Sequence, residues 1–190
     1  MAQKYSITAD ITISLGIENI KRLWNLFVKE PNFASDHAVF LDWIYKQRSY
    51  SQIHIMNDQK RQFSYELFLF NDEEKRFLFT AFLCNPDEVN ASSISVSLVK
   101  CFQKYFRMIN SAEQNLSTSR NKIQVLKFGS LIGMDNLWKM AVLSTNEKAK
   151  ELSQELLVSL HLKWDNKTAT QEHKQAIIMQ YIQRCMDLLT

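Results

Sequence analysis

Glycine and proline are nearly missing, with three and two residues among 190. Gly supplies left-handed turns and Pro interrupts hydrogen-bonded ladders, so folds built from many tight turns use both. Their scarcity argues against a β-sandwich or barrel and for long helices joined by polar loops. Cysteine is sparse too. Cys84, Cys101 and Cys185 are an odd, widely spaced set with no CxxC pair and no histidine at metal-ligand spacing. Reduced, half-buried thiols are expected. No run approaches the ~20 apolar residues of a membrane span. Met1 to Gly16 also lacks the cationic start and continuous apolar stretch of a signal peptide. A cytosolic or nuclear protein without a membrane partner is expected. Neither sign of charge dominates: 23 basic and 20 acidic residues leave +3. The basic residues are dispersed, not gathered into the stripe of a nucleic-acid binder.

What is plentiful is apolar surface. Hydrophobic residues make up 46%, with four Trp and 12 Phe, enough to offset the entropy of ordering. The length suits one domain or a short run of stacked helical units.

Residues 1–16 alternate apolar and polar, which reads as an extended leader. From Ile17 the period changes. Ile17, Ile20, Leu23, Trp24, Phe27 and Val28 share a helical stripe that Pro31 ends. Ser35 and Asp36 are candidate caps for a second helix through Val39, Phe40, Trp43 and Ile44, which completes a helix hairpin. Residues 49–70 read as a loop and then a helix. Asn71 to Glu74 resembles a capping box, and its helix ends near Pro86. Ile94 to Ile109 is the clearest helix, and the polar stretch 110–122 is the expected flexible loop. Further helical stripes run through Leu137 to Val142, through Ala149 to Leu160, and through Ile178, Tyr181, Ile182, Cys185 and Leu189.

Leu23–Val28 and Leu137–Val142 echo each other, each followed by a second amphipathic helix. Helix pairs repeating this way suggest an armadillo/HEAT-like stack; an irregular helical bundle is the alternative. The expected class is all-α, with residues 17–190 as one helical-repeat segment.

Candidate chemistry is thin. Cys101 and Cys185 sit mid-helix, and Cys84 lies at a helix end where no N-terminal dipole helps its thiolate. His37, His54, His161 and His173 are scattered, with no arrangement beside an acid and a nucleophile. Gly129 and Gly133 are not followed by the GK[ST] of a phosphate loop, so turns and helix capping explain them better. Asp72-Glu73-Glu74 and Asp87-Glu88 fall at expected helix starts, where they complement the macrodipole. Trp24, Trp43 and Trp138 read as core; Trp164, in Lys163-Trp164-Asp165-Asn166, is the best candidate for an exposed anchor. No catalytic residue, metal site, cofactor or small-molecule substrate is expected.

Several phrases together resemble a known family. Ile20-Lys21-Arg22-Leu23-Trp24, Phe106-Arg107-Met108-Ile109-Asn110, Gly133-Met134-Asp135-Asn136-Leu137-Trp138 and Ile182-Gln183-Arg184-Cys185-Met186 are similar to the non-catalytic helical region of the large fat-facets-type ubiquitin-specific proteases. The resemblance spans most of the chain and is weakest over 49–90. It implies a thiol-dependent deubiquitinase as parent, with an armadillo-like solenoid flanking the protease domain. That family's catalytic Asn-x-Gly-Asn-Thr-Cys and Gly-His-Tyr phrases are absent; the residues before the three cysteines are Leu83, Lys100 and Arg184. The resemblance therefore implies a segment that engages protein partners or ubiquitinated substrates without being the enzyme. A free-standing helical adaptor is the rival.

Overall fold

Helices form where the sequence turns from period two to period 3.6. The computed structural model describes residues 16–30, 33–46, 70, 72–119, 122–162 and 170–187. Residues 1–15 of the expected leader over 1–16, the reading of 49–69, Pro31, Asn71, Trp164 and Leu189 lie outside them. The described chain is mostly helical, with packed helix pairs and one short hairpin.

α1 (Ile17–Trp24) starts at Gly16, whose φ of 72° only glycine adopts at little cost. The Gly16 N–H donates to Glu74 Oε1 at 2.6 Å, tying this end to the buried Glu74 of α3 (Asp72–Phe77). Both helices widen at their C-terminal ends into π-helix, over Asn25–Lys29 and Leu78–Leu83. Glu30 N–H donates to the Asn25 carbonyl at 3.0 Å and Cys84 N–H to the Phe79 carbonyl at 2.8 Å, five residues back. α2 (Ala34–Lys46) returns beside the π-helical stretch Asn25–Lys29, with Phe40 stacked on Phe27 at 5.1 Å.

α4 (Val96–Ala112) is the central helix. Ser95 caps it, its hydroxyl accepting from Leu98 N–H at 3.1 Å. Its buried residues, among them Val99, Phe102, Tyr105 and Phe106, occupy more than one face because α2, α6 and the π-helical turn all pack against it. Phe79 meets both Phe102 and Phe106. Each such fully buried aromatic contributes about 1.5–3 kcal/mol by leaving water. β1 (Leu116–Ser119) and β2 (Lys122–Val125) then pair antiparallel, Leu116 opposite Val125. α5 (Met134–Leu143) and α6 (Glu147–Leu162) form the closest helix pair, and α7 (Gln171–Asp187) lies against α6. No described helix is long and apolar enough to cross a membrane.

Four sequence expectations shift. Ser35 and Asp36 fall inside the first turn of α2, not at its cap: the Phe33 carbonyl accepts from the N–H groups of Asp36 and His37. The stretch 110–122 holds the last turn of α4 and most of a hairpin, because Asn115 turns the chain into β1. Asp87 and Glu88 lie in a turn that Asn85 organises, its side chain accepting from Asp87 N–H at 3.0 Å. On α7 the buried face carries Ile177, not Ile178; Ile178 and Ile182 are exposed.

Candidate interaction surfaces

The thiols sit where packing put them. Cys101 is wholly buried in α4, and burial pushes its thiol far above the ordinary range; the nearby Lys104 opposes this weakly. Cys84 ends the π-helical turn, and its half-buried thiol is pushed up to about 12 by desolvation. Both are held as neutral thiols at physiological pH, the opposite of an activated nucleophile. Cys185 is half-buried on α7 against Tyr181. Among the described residues no group of three or more His, Cys, Asp or Glu could hold a metal ion.

The histidines remain apart. His37 is half-buried in the first turn of α2, where desolvation lowers its pKa. His54 and the side chain of His173 lie outside the described residues. His161 is different: it is 1% exposed near the end of α6. Its Nδ1–H donates to the Leu157 carbonyl at 2.7 Å, which fixes the tautomer, since a carbonyl only accepts. Phe128 and Tyr181 lie 4.7 Å from its ring, and Trp138 lies 5.8 Å away. Trp138 also meets Tyr181 at 5.3 Å. Burial lowers the His161 pKa, partly offset by the Leu157 hydrogen bond. This aromatic cluster joins the Phe128–Ser130 turn, α5, α6 and α7, and its arrangement is structural.

The tryptophans behave as expected from their stripes. Trp24 is wholly buried and stacks on Phe82 at 4.9 Å. Trp138 is buried, and Trp43 is half-buried between Phe40 and Phe70. Gly133 begins α5 with φ of 89°, and Gly129 lies in the Phe128–Ser130 turn.

Sequence reasoning passed over two residues, Asn110 and Asn115. Both are buried, and they join the end of α4 to the hairpin and to the turn before α5. A signal was present: Asn110 lies four positions after Phe106, on the apolar stripe of α4.

Two surfaces remain. An open groove of about 470 Å³ runs between the Pro86–Ser92 segment and the α5 residues Asn136, Lys139, Met140 and Leu143. Its wall includes Glu88, paired with Lys29 at 2.9 Å. No thiol or imidazole lines it. The second surface is α7, where Ile178, Met179, Ile182 and Met186 stand in solvent.

No family model matches the sequence. The chain is 27% identical over 181 residues to ubiquitin carboxyl-terminal hydrolase 9Y of Mus musculus. That alignment covers 92% of this chain but only 6% of the relative. What the buried thiols and packed helix pairs accompany is thus a distant relationship to one small stretch of a ubiquitin carboxyl-terminal hydrolase.

Proposed function

We propose that this chain is a non-catalytic scaffold segment of the kind carried by a large cysteine-type deubiquitinase, with the catalytic domain elsewhere in the parent. The observation that carries this reading is the asymmetry of the alignment, which takes in nearly all of this chain and 6% of the relative. The half-buried Cys84 and buried Cys101, both held protonated, and the separated histidines support it. So does the packing of α5 on α6 and of α7 on α6, which suits stacked helix pairs of armadillo/HEAT type. Such a stack offers protein partners or ubiquitinated substrates a long lateral surface in the cytosol or nucleus. It needs no cofactor, nucleic acid or small-molecule substrate.

Purified protein mixed with a ubiquitin–fluorophore substrate should release no fluorophore. Turnover that disappears on Cys→Ser substitution would overturn the reading. The rival, a free-standing helical adaptor, is favoured by the low 27% identity. The native reading frame separates the two: a Gly-Asn-Thr-Cys phrase in the same frame decides for the protease, and its absence for the adaptor.

A further inference from the structure

α4 and α7 are both 17 residues long, and they sit in the fold very differently. α4 buries eight side chains. Among the described side chains of α7, Ile177 alone is buried. Lys174, Tyr181 and Cys185 are half-buried, and the other described side chains stand in solvent. At 100° per residue these four positions occupy an arc about 80° wide, narrower than the apolar stripe of an ordinary core-facing helix. Ile177 is not part of the contiguous core that runs from Ile20 to Leu160, although Tyr181 and Cys185 pack against that core. The Tyr181 ring lies 4.7 Å from His161 of α6 and 5.3 Å from Trp138 of α5. Beside this seam Arg184 pairs with Asp135 at 2.9 Å, both well exposed, and an ion pair so open to water adds little.

We propose that α7 is a releasable strap. It leaves the seam on α5 and α6 as one unit while the rest of the fold stays intact, and so uncovers the aromatic surface of Trp138 and His161 that it otherwise hides. Release gives up one narrow seam. Unfolding the body gives up the eight buried side chains of α4 together with the helices packed on them. The first opening is therefore the cheaper one, and it is populated well before the second. In the closed state Trp138 and His161 are 7% and 1% exposed; with Tyr181 gone, one side of each ring meets water. A helix of this length is marginal in water without tertiary contact, so α7 amides lose their protection each time the strap lifts. This inference goes beyond the scaffold reading and does not rest on it.

The test is hydrogen exchange of the full chain near neutral pH, read by mass spectrometry. The α7 amides should share one rate, at least about tenfold faster than the slowest amides of α4. Low urea should leave the α7 rate nearly unchanged and raise that of α4, because little surface opens in the first case and most of it in the second. Val99→Ala, a cavity within α4, should speed exchange in α4 at least about fivefold and leave α7 as it is, since the folded body persists whether the strap is on or off. Tyr181→Ala should speed exchange along the whole of α7 at least about fivefold, and Ile182→Ala, on the exposed side, should not. If α7 rates climb with those of α4 in urea or in Val99→Ala, α7 leaves only on global unfolding and the proposal is wrong. Protection graded from the helix ends and indifferent to Tyr181→Ala is simple fraying, and overturns it equally.

Discussion

The Asn115 side chain donates to the side-chain oxygen of Asn110 at 3.3 Å, and the two carboxamides fix the path of the chain between α4 and α5. Asn110 Nδ2 donates to the carbonyls of Phe106 and Ile132 at 2.9 and 3.0 Å, and its Oδ1 accepts from Ile132 N–H at 2.8 Å. Asn115 Nδ2 donates to the Ser130 carbonyl at 2.8 Å, while its own carbonyl accepts from the N–H groups of Leu126 and Lys127. One side chain thus satisfies both backbone groups of a half-buried residue 22 positions away.

Asn110→Ala removes the partner of the Ile132 N–H and carbonyl at a half-buried site. Each orphaned group costs about 1–3 kcal/mol, so a loss of about 2–4 kcal/mol is expected in urea unfolding. Asn115→Ala should cost less, because its backbone bonds survive. The double variant should lose less than the sum, since the two share a hydrogen bond. Strict additivity would show that the carboxamides act separately.

Gly133→Ala faces two penalties at once. A Cβ there meets Phe79 Cζ at 2.8 Å and Cys84 Sγ at 3.0 Å, and the φ of 89° is strained for any side chain. The expected destabilisation is about 2–4 kcal/mol. Gly129→Ala meets nothing within 4 Å and should stay within about 0.5 kcal/mol of wild type. Thermal unfolding of the pair separates glycine as a necessity from glycine as a convenience.

Stability should fall on acidification. The folded-state pKa of His161 is depressed by burial, so the unfolded chain binds the proton more readily. The neutral ring therefore contributes its full stabilisation above the unfolded value of about 6.5, and loses it as pH drops below that towards the folded value. His37 is shifted the same way, also by burial, so the slope has two sources. His161→Phe should flatten part of the fall in melting temperature between about pH 7.5 and 5. A variant with the wild-type slope would assign the effect elsewhere.

Cys84 and Cys101 should resist alkylation in the native protein near neutral pH. Burial holds both thiols protonated, Cys84 with a pKa of about 12, and the thiolate is the reacting species. Peptide mapping after a short iodoacetamide pulse should find both unmodified, and both modified after denaturation. Rapid native labelling of Cys101 would mean that α4 opens locally.

Much of this architecture was legible because burial leaves a periodic mark. The stripe through Leu98, Val99, Phe102, Tyr105, Phe106 and Ile109 fixed α4, and of the tryptophans on apolar stripes Trp24 and Trp138 proved to be core, with Trp43 half-buried against it. The hairpin left no such mark. Its first strand is Leu-Ser-Thr-Ser, with Leu116 as its one apolar side chain, and what holds it is backbone pairing. Asn110 and Asn115 were passed over because an asparagine near a helix end reads as a turn signal. On α7 apolar residues at adjacent positions left the choice between Ile177 and Ile178 to tertiary contact. From sequence Cys101 and Cys185 read as mid-helix residues and Cys84 as a helix-end residue; the protonation of Cys84 and Cys101 follows from burial.

The two π-helical turns carry a consequence for comparing relatives. A stretch closed by bonds to the fifth residue back holds one residue more than an α-helix of the same rise, and so behaves as an insertion absorbed without a loop. Within Asn25–Lys29 and Leu78–Leu83 the register advances without breaking the helix, and in the second stretch Leu78, Phe79, Phe82 and Leu83 are buried. Kin that lack either widening should align with a single-residue gap at these places, in the middle of a helix, where gaps are ordinarily refused.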